Sequence, residues 1–227
     1  MKTFRTIIAV VGLALVFAGC PGTKTEELPD VTSPTINVPS GVIEVGLGDK
    51  DAVSKGVTAS DEKDGDLTKS IRLLSEVERI GLDTVKFEVT DAAGNKGMAT
   101  RIIKVKSGKL AGKYNVHYKD VKPPNKGGTY PIEVFEDATV RLIVSTFHYF
   151  TARQITLISD GTKRLKIEEG LFPHDGDRYH LEGSVTFESA DATKSQYNLV
   201  SFNYVFTPDN PSLGVQEYTA TCERLGK

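Results

Sequence analysis

The chain has 227 residues, with 28 basic and 30 acidic side chains and a formal net charge of −2. This near balance offers no basic field for a polyphosphate, so the composition argues against a nucleic-acid partner. The two cysteines are too few for a metal cluster built on thiolates.

The first nineteen residues have the three parts of a bacterial export signal. Lys2 and Arg5 give a basic start, an apolar run follows over 7–17, and two small residues come next. The run is too short to cross a bilayer as a helix. Cys20 follows directly, and the stretch Val-Phe-Ala-Gly-Cys resembles the lipobox of bacterial lipoproteins, with Phe17 where that family more often has Leu. The resemblance implies cleavage before Cys20 and a diacylglycerol on its sulfur; the alternative is an ordinary secretory signal with a chance cysteine.

A lipid on Cys20 would hold the mature protein on a membrane, because each buried methylene contributes about 0.8 kcal/mol. Removal of residues 1–19 changes the formal net charge to −4. With Cys20 lipidated, Cys222 would have no partner for an intramolecular disulfide. Residues 20–33 are predicted to be the lipidated cysteine and a flexible linker, rich in Pro, Gly, Thr and charge. The stretch Lys-Thr-Glu-Glu at 24–27 is similar to the acidic signal that sends lipoproteins of the Bacteroidota to the outer face of the outer membrane. The alternative is a merely solvated linker.

The remaining sequence predicts two all-β domains. Apolar and polar residues alternate in short segments that Gly, Asp, Asn and Pro interrupt, and no sustained 3.6-residue pattern follows the signal. In the first domain, 34–106, we predict five strands: 35–38, 42–45, 71–74, 83–90 and 98–105. In the fourth of these, Val85, Phe87 and Val89 fall on one face, which predicts a strand with one buried face.

Three motifs occur in this first domain in a fixed order. They are Asp-Gly-Asp-Leu-Thr at 64–68, Val-Thr-Asp-Ala-Ala-Gly-Asn at 89–95, and Arg-Ile-Ile-Lys-Val at 101–105. Together they resemble the small bacterial immunoglobulin-like domains of surface proteins, which end in a similar T-D-x-x-G-N hairpin. One departure is Gly-Leu-Asp-Thr at 81–84, where the family usually has Gly-Thr-Tyr. The resemblance implies a seven-strand sandwich that serves as a spacer or adhesion module without catalytic activity.

The second domain, 109–227, is predicted to be an antiparallel β-sandwich or a small β-barrel. Its opening, Leu-Ala-Gly-Lys-Tyr-Asn-Val, is similar to the G-x-Y-x-V start of C-terminal domains in Bacteroidota surface lipoproteins and to lipocalin-like barrels. Eight strands are predicted: 112–118, 130–136, 139–145, 154–159, 164–167, 179–188, 197–207 and 215–223.

Three carboxylates lie close together in sequence at Asp61, Asp64 and Asp66. Calcium takes six to eight oxygen ligands, so this run is a candidate metal site. An EF-hand loop would need an acidic residue where Lys63 stands, and the alternative is an acidic turn capped by its own side chains. A second candidate is the stretch in which His174 and His180 flank two aspartates, although its composition is also that of a solvated hairpin loop.

The aromatic run Phe147, His148, Tyr149 and Phe150 is the candidate ligand site. Four such residues in succession cannot all be buried on one face of a sheet, and exposed rings bind sugars by stacking. The chain has no Trp, however, so core packing or a domain interface is the alternative. No nucleophile elbow, Ser-x-x-Lys motif or phosphate-binding glycine loop is present, and no cofactor is expected.

The sequence therefore predicts a non-enzymatic lipoprotein, anchored in the outer membrane and facing the cell exterior. Its immunoglobulin-like domain would hold the C-terminal β domain away from the membrane, where that domain binds a polysaccharide. The alternative is a structural or assembly partner of other envelope proteins, with no small ligand. A third hypothesis is a hydrolase that depends on Asp175 or Asp177, since paired carboxylates are recognised only in space.

Overall fold

The computed structural model describes residues 28–119, 128–145, 154–174 and 176–226, and it confirms the predicted all-β fold class. Fifteen strands, one α-helix and three short 3-10 helices form this part of the chain. Within these residues no helix is both long and apolar enough to span a bilayer.

Seven strands between residues 35 and 106 form two sheets. The strands are β1 Thr35–Asn37, β2 Ile43–Gly46, β3 Thr58–Asp61, β4 Gly65–Asp66, β5 Arg72–Leu73, β6 Gly81–Thr90 and β7 Lys96–Lys106. One sheet has the order β1-β3-β4 and the other β2-β7-β6-β5. β2 runs parallel to β7, whereas the other pairs are antiparallel. The strand number agrees with the predicted sandwich, and the immunoglobulin-like relationship itself stays a prediction.

β6 and β7 form the long hairpin of the second sheet. Val85, Phe87 and Val89 are all at most 1% exposed, as the alternation of the sequence predicts. The turn between the strands is built on Asp91, whose Oδ1 accepts the backbone N–H of Asn95 at 2.7 Å. Gly94 takes a φ of 95°, a conformation that glycine adopts without strain.

β3, β4 and a short helix were not predicted from the sequence. β3 reads Thr-Ala-Ser-Asp, in which Ala59 is the only apolar residue, so it has no recognisable alternation. The helix α1 spans only Lys50–Ser54, and Asp49 caps it by accepting the N–H of Ala52 at 3.0 Å. Such short elements are held by contacts with the rest of the fold rather than by a periodic pattern.

The eight remaining strands close into an antiparallel barrel, which decides between the two predicted architectures. They are β8 Gly112–Tyr118, β9 Thr129–Ala138, β10 Arg141–Val144, β11 Ile155–Ser159, β12 Arg164–His174, β13 Asp177–Ser189, β14 Tyr197–Pro208 and β15 Gln216–Arg224. Each strand pairs with the next along the chain, and β15 pairs with β8 to close the ring. β12 continues well beyond its predicted end at Ile167, because a bulge between Ile167 and Gly170 interrupts the alternation but not the pairing.

The two ends of the barrel differ in what they contact. At the end we call proximal, where β9–β10, β11–β12 and β13–β14 connect, the barrel touches the segment between β5 and β6. Ser159 donates its hydroxyl to the Ile80 carbonyl at 2.6 Å, and Arg79 Nε donates to the Gly161 carbonyl at 3.1 Å. The opposite, distal end carries the other four connections: β8–β9, β10–β11, β12–β13 and β14–β15.

Candidate functional site

Aromatic side chains fill the distal half of the barrel. We call the following seven the distal aromatic cluster: Tyr118, Tyr130, Phe172, Tyr179, Tyr204, Phe206 and Tyr218. Tyr204 and Tyr218 are stacked, with centroids 5.1 Å apart and an interplanar angle of 16°. Phe206 meets both edge-on, at 5.5 and 5.9 Å. These are the favourable arrangements of aromatic pairs, so the distal aromatic cluster is well packed.

The two stacked rings of the distal aromatic cluster are almost completely buried. Tyr204 is 2% exposed and Tyr218 9% exposed, so neither presents a flat face to solvent. Stacking on a sugar needs an exposed ring. Tyr204 and Tyr218 therefore stabilise the distal end by packing and do not themselves offer a stacking surface for a sugar.

The predicted aromatic run Phe147, His148, Tyr149 and Phe150 lies outside the described residues. The strands on either side of it are described: β10 ends at Val144 and β11 begins at Ile155, and these two residues are paired. Both strand ends belong to the distal end of the barrel. In the sequence, the run therefore stands between two strand ends at the distal end of the barrel, the end that contains the distal aromatic cluster.

A small polar network marks the rim of the distal end. Asp209 accepts from Arg178 Nε at 2.9 Å and from His180 Nε2 at 3.1 Å. Asp177 accepts the backbone N–H of Arg178 through Oδ1 at 2.8 Å. Of the predicted histidine and aspartate cluster, Asp175 lies outside the described residues, and the structure places His180 against Asp209 instead. Sequence reasoning missed Asp209, because it is almost thirty residues away along the chain.

Apolar side chains are exposed on the same rim. Leu171 is 51% exposed, Leu213 48% and Val215 59%. Leu171 pairs with His180, which in turn pairs with Thr207 on β14. The distal rim thus combines a charged network with exposed aliphatic groups.

A groove with a volume of about 560 Å³ is lined by residues of β12, β13, β14 and β15. Three carboxylates and three neutral polar side chains line much of it: Glu169, Glu182, Glu217, Ser184, Asn203 and Thr219. Gly183 also lines it, and a Cβ there would come within 2.4 Å of the Asn203 carbonyl oxygen. Sequence reasoning missed this groove, because its residues occupy the ordinary polar positions of alternating strands.

The acidic turn of the first sheet is arranged differently from the predicted set. Asp61 Oδ1 accepts the backbone N–H of Lys63 at 2.8 Å and that of Asp64 at 3.1 Å. Asp64 Oδ2 accepts the N–H of Ala92 at 2.8 Å, far along the chain. Asp61 lies instead with Asp30 and Asp91, and one carboxylate oxygen of each falls within 4.8 Å of the others.

Asp66 is a turn residue by its contacts. Its Oδ1 accepts the N–H of Thr68 at 2.9 Å. The hydrogen bonds from Thr68, through its side chain and its backbone, hold the pKa of Asp66 below its usual value. Asp64 and Asp66 thus both accept from backbone N–H groups, Asp66 within its own turn and Asp64 from the distant Ala92.

Cys222 is a poor candidate for a nucleophile. Its side chain lies on β15, half-buried, and burial raises the pKa of its thiol to about 12. Since the thiolate is the reactive form, a raised pKa leaves this cysteine unreactive at neutral pH.

No protein-family model matches the chain, and no curated protein matches it significantly. Among solved structures, a lipoprotein from Bacteroides thetaiotaomicron is 14% identical with a TM-score of 0.33, and the match covers 85% of this chain and 100% of that one. The CBM51-2 module in complex with GlcNAc and INT domains from Clostridium perfringens ZmpB is 15% identical with a TM-score of 0.28, over 86% of this chain and 45% of that one.

A third structure contains the M60 catalytic domain of the same ZmpB protein with its CBM51-1 and CBM51-2 domains. It is 15% identical with a TM-score of 0.27, over 84% of this chain and 21% of that chain. The chain thus spans less than half the length of both Clostridium chains. The neighbours include a lipoprotein and carbohydrate-binding modules, but TM-scores below 0.5 support neither a function nor a site here. The all-β class is established by the strands themselves.

Proposed function

We propose that the protein is a non-catalytic lipoprotein of the bacterial outer membrane, anchored through Cys20, whose barrel binds a glycan at its distal end. The observation that carries this proposal is the polarity of the barrel. Its proximal end contacts the N-terminal sheets, and its distal end carries the connection that contains Tyr149. A ligand at the distal end would meet the part of the barrel that lies away from the N-terminal sheets.

The chemistry of the distal rim suits a sugar. Carboxylate, imidazole and guanidinium groups at Asp209, His180 and Arg178 can accept and donate hydrogen bonds to hydroxyl groups. The aromatic run of 147–150 supplies rings for stacking on the flat face of a pyranose.

Affinity electrophoresis of the full chain, purified in a non-ionic detergent, tests the proposal against a panel of polysaccharides. We expect retardation by at least one glycan and its loss in Tyr149→Ala. Phe135→Ala is the matched control, because Phe135 is an aromatic side chain 45% exposed on β9, toward the proximal end. Equal retardation of all three proteins, or retardation lost in both variants, would place the sugar elsewhere.

The exposed aliphatic groups of the rim favour a second function, as an assembly partner of another envelope protein. Leu171 and Val215 are each more than half exposed, and exposed apolar patches with polar residues around them mark protein interaction sites. In that case crosslinking on whole cells should give a discrete adduct that Leu171→Ser removes. Leu82→Ser is the control, since Leu82 is 73% exposed but lies on β6. An adduct with no glycan retardation would replace the first proposal by the second.

A further inference from the structure

Three carboxylates from distant parts of the chain meet at one edge of the N-terminal sheets. Asp30 precedes β1, Asp61 ends β3, and Asp91 opens the turn between β6 and β7. One oxygen from each lies within 4.8 Å of the other two. Like charges this close repel one another unless a cation or protons compensate them.

One oxygen of this group is buried without a hydrogen-bond partner. Asp61 is 9% exposed, and its Oδ1 already accepts two backbone N–H groups. Its Oδ2 is buried, and no donor reaches it within the described part of the chain. A buried carboxylate oxygen without a donor costs free energy, so it requires an explanation in a native structure.

No side-chain cation supplies that explanation. In the described ranges, none of the three carboxylates has an ion-pair partner. Lys63, which lies in the same turn as Asp61, extends its ammonium group to the Leu28 carbonyl at 3.1 Å. Asn95 donates its amide to Asp91 Oδ2 at 2.8 Å and to the Asp30 carbonyl at 3.2 Å, which fixes two of the three residues relative to each other.

We infer that Asp30, Asp61 and Asp91 form a calcium site. Calcium binds oxygen at about 2.3–2.6 Å, so two ligand oxygens on opposite sides of one ion are about 4.8 Å apart. The three carboxylate oxygens lie within this distance of one another and can therefore bind the same ion. Three carboxylates suit a hard divalent cation, and the remaining positions of a six- to eight-oxygen shell are available to water and backbone carbonyls. Asp61 Oδ2 then has its missing partner.

The site gives calcium a structural role. Asp30 belongs to the segment that enters the fold from the N-terminal side, whereas Asp61 and Asp91 belong to the two sheets. Gly97 lies directly against the Pro34 carbonyl, so this segment already packs closely on β7. Bound calcium would fasten residues 28–34 to the sheets.

Isothermal titration of calcium chloride into the full chain, freed of metal with EGTA and held in detergent, measures the site directly. We expect saturable binding of one ion, a higher melting temperature with calcium than with EGTA, and weaker binding of magnesium. Magnesium should bind less well because it requires a smaller octahedral shell at about 2.0–2.1 Å. Hydrogen exchange at 28–34 should slow when calcium is present.

Two variants separate this site from the neighbouring acidic turn. Asp61→Asn keeps an oxygen for the backbone donors but removes charge, and we expect its calcium affinity to fall at least tenfold. Asp66→Asn is the matched control and should bind calcium like the parent. Asp91→Asn, which retains one acceptor oxygen for the backbone N–H of Asn95, serves if Asp61→Asn does not fold. Absence of saturable binding to the parent, or equal loss in the Asp61 and Asp66 variants, would overturn the inference; neither result bears on glycan binding.

Discussion

The guanidinium group of Arg224 joins the last strand of the barrel to its first. Nη1 donates to the carbonyls of Tyr197 at 2.7 Å and Lys109 at 3.1 Å, and Nη2 donates to the Ala111 carbonyl at 2.5 Å. Its carbon lies 5.4 Å from the centroid of the Tyr114 ring, in a cation–π contact. Planar, forked donors of this kind are a property of Arg that Lys lacks.

We therefore expect Arg224→Lys to lower the free energy of unfolding by about 2 kcal/mol. A lysine cannot donate to all three carbonyl groups at once, and a half-buried carbonyl left without a donor is unfavourable. Chemical denaturation followed by far-UV circular dichroism measures the change. Arg178→Lys is a control on the exposed rim and should be nearly neutral, since exposed ion pairs contribute little. Equal stability of the two variants would contradict this role for Arg224.

Gly183 is required by the close approach of two strands. Its Cβ would meet the Asn203 carbonyl oxygen at 2.4 Å and the Tyr204 Cα at 2.8 Å, both of them backbone atoms. Backbone cannot move aside as a side-chain end can, so Gly183→Ala should destabilise the barrel by about 1–3 kcal/mol. Thermal unfolding measures this, with Ser184→Ala as the control at the next position. A Gly183 variant as stable as the control would show that the strands can separate without cost.

At the scale of elements, the segment between β5 and β6 docks on the proximal end of the barrel through Glu78. Its carboxylate lies 2.5 Å from Lys163 Nζ and 2.5 Å from Lys194 Nζ. Burial raises the pKa of Glu78, but the hydrogen bonds and charges of the two lysines outweigh it, and the pKa falls from 4.5 to about 2. Folding therefore favours the ionised form of this side chain.

This shift predicts how stability depends on pH. Well above pH 4.5 Glu78 is ionised in both the folded and unfolded states, and its contribution, at most about 3 kcal/mol, is complete. As pH falls from 4.5 toward 2, the unfolded chain takes up the proton first and the contribution is lost. Denaturation at a series of pH values should show this decline, and Glu78→Gln should be less stable at pH 7 and flatter below pH 4.5. Glu44→Gln is the control, since Glu44 forms an exposed ion pair with Lys104. If the stability of the parent and of Glu78→Gln falls in parallel below pH 4.5, the pH dependence does not come from Glu78.

The elements that could be predicted are those whose local pattern alone decides their structure. β8 alternates over its whole length and β6 alternates in sequence over residues 85–89, and the bounds of both strands lie within two residues of the predicted ones. β3 and α1 carry too few apolar residues for any period, and they exist because neighbouring elements hold them. Arg101 illustrates this: its Nη1 donates to the carbonyls of Val53 and Lys55 at 2.8 and 2.9 Å, which ties the end of α1 to β7.

The candidate sites follow the same division. The sequence identifies the aromatic run at 147–150 and the acidic turn at Asp61, because each is contiguous. It cannot identify Asp30 and Asp91 as neighbours of Asp61, or Asp209 as the partner of His180, because these meet only through strand pairing. Long-range pairing is set by the whole fold, so single-segment patterns do not contain it.

At the scale of the whole molecule, the proposals imply an order along the chain from the membrane to the ligand. The proposed lipid at Cys20 precedes the segment 28–34, which the proposed calcium site fastens to the N-terminal sheets. Those sheets contact the proximal end of the barrel, and the proposed ligand end is distal. If each proposal holds, the contacts of this series join the lipid anchor to the ligand end through the N-terminal sheets and the proximal end of the barrel.

The first step of this series can be tested in cells with an alkyne analogue of palmitate. We expect the parent chain to incorporate the label and Cys20→Ala to lose it completely, because a processed lipobox cysteine carries its fatty acyl chains in the diacylglycerol on its sulfur and on its new amino group. Cys222→Ala is the matched control and should label like the parent, since the half-buried Cys222 thiol lies in β15. Protease treatment of intact cells then reports whether the labelled chain faces the exterior. Label that persists in Cys20→Ala, or that disappears with Cys222, would mean that the chain is held on the membrane by another route.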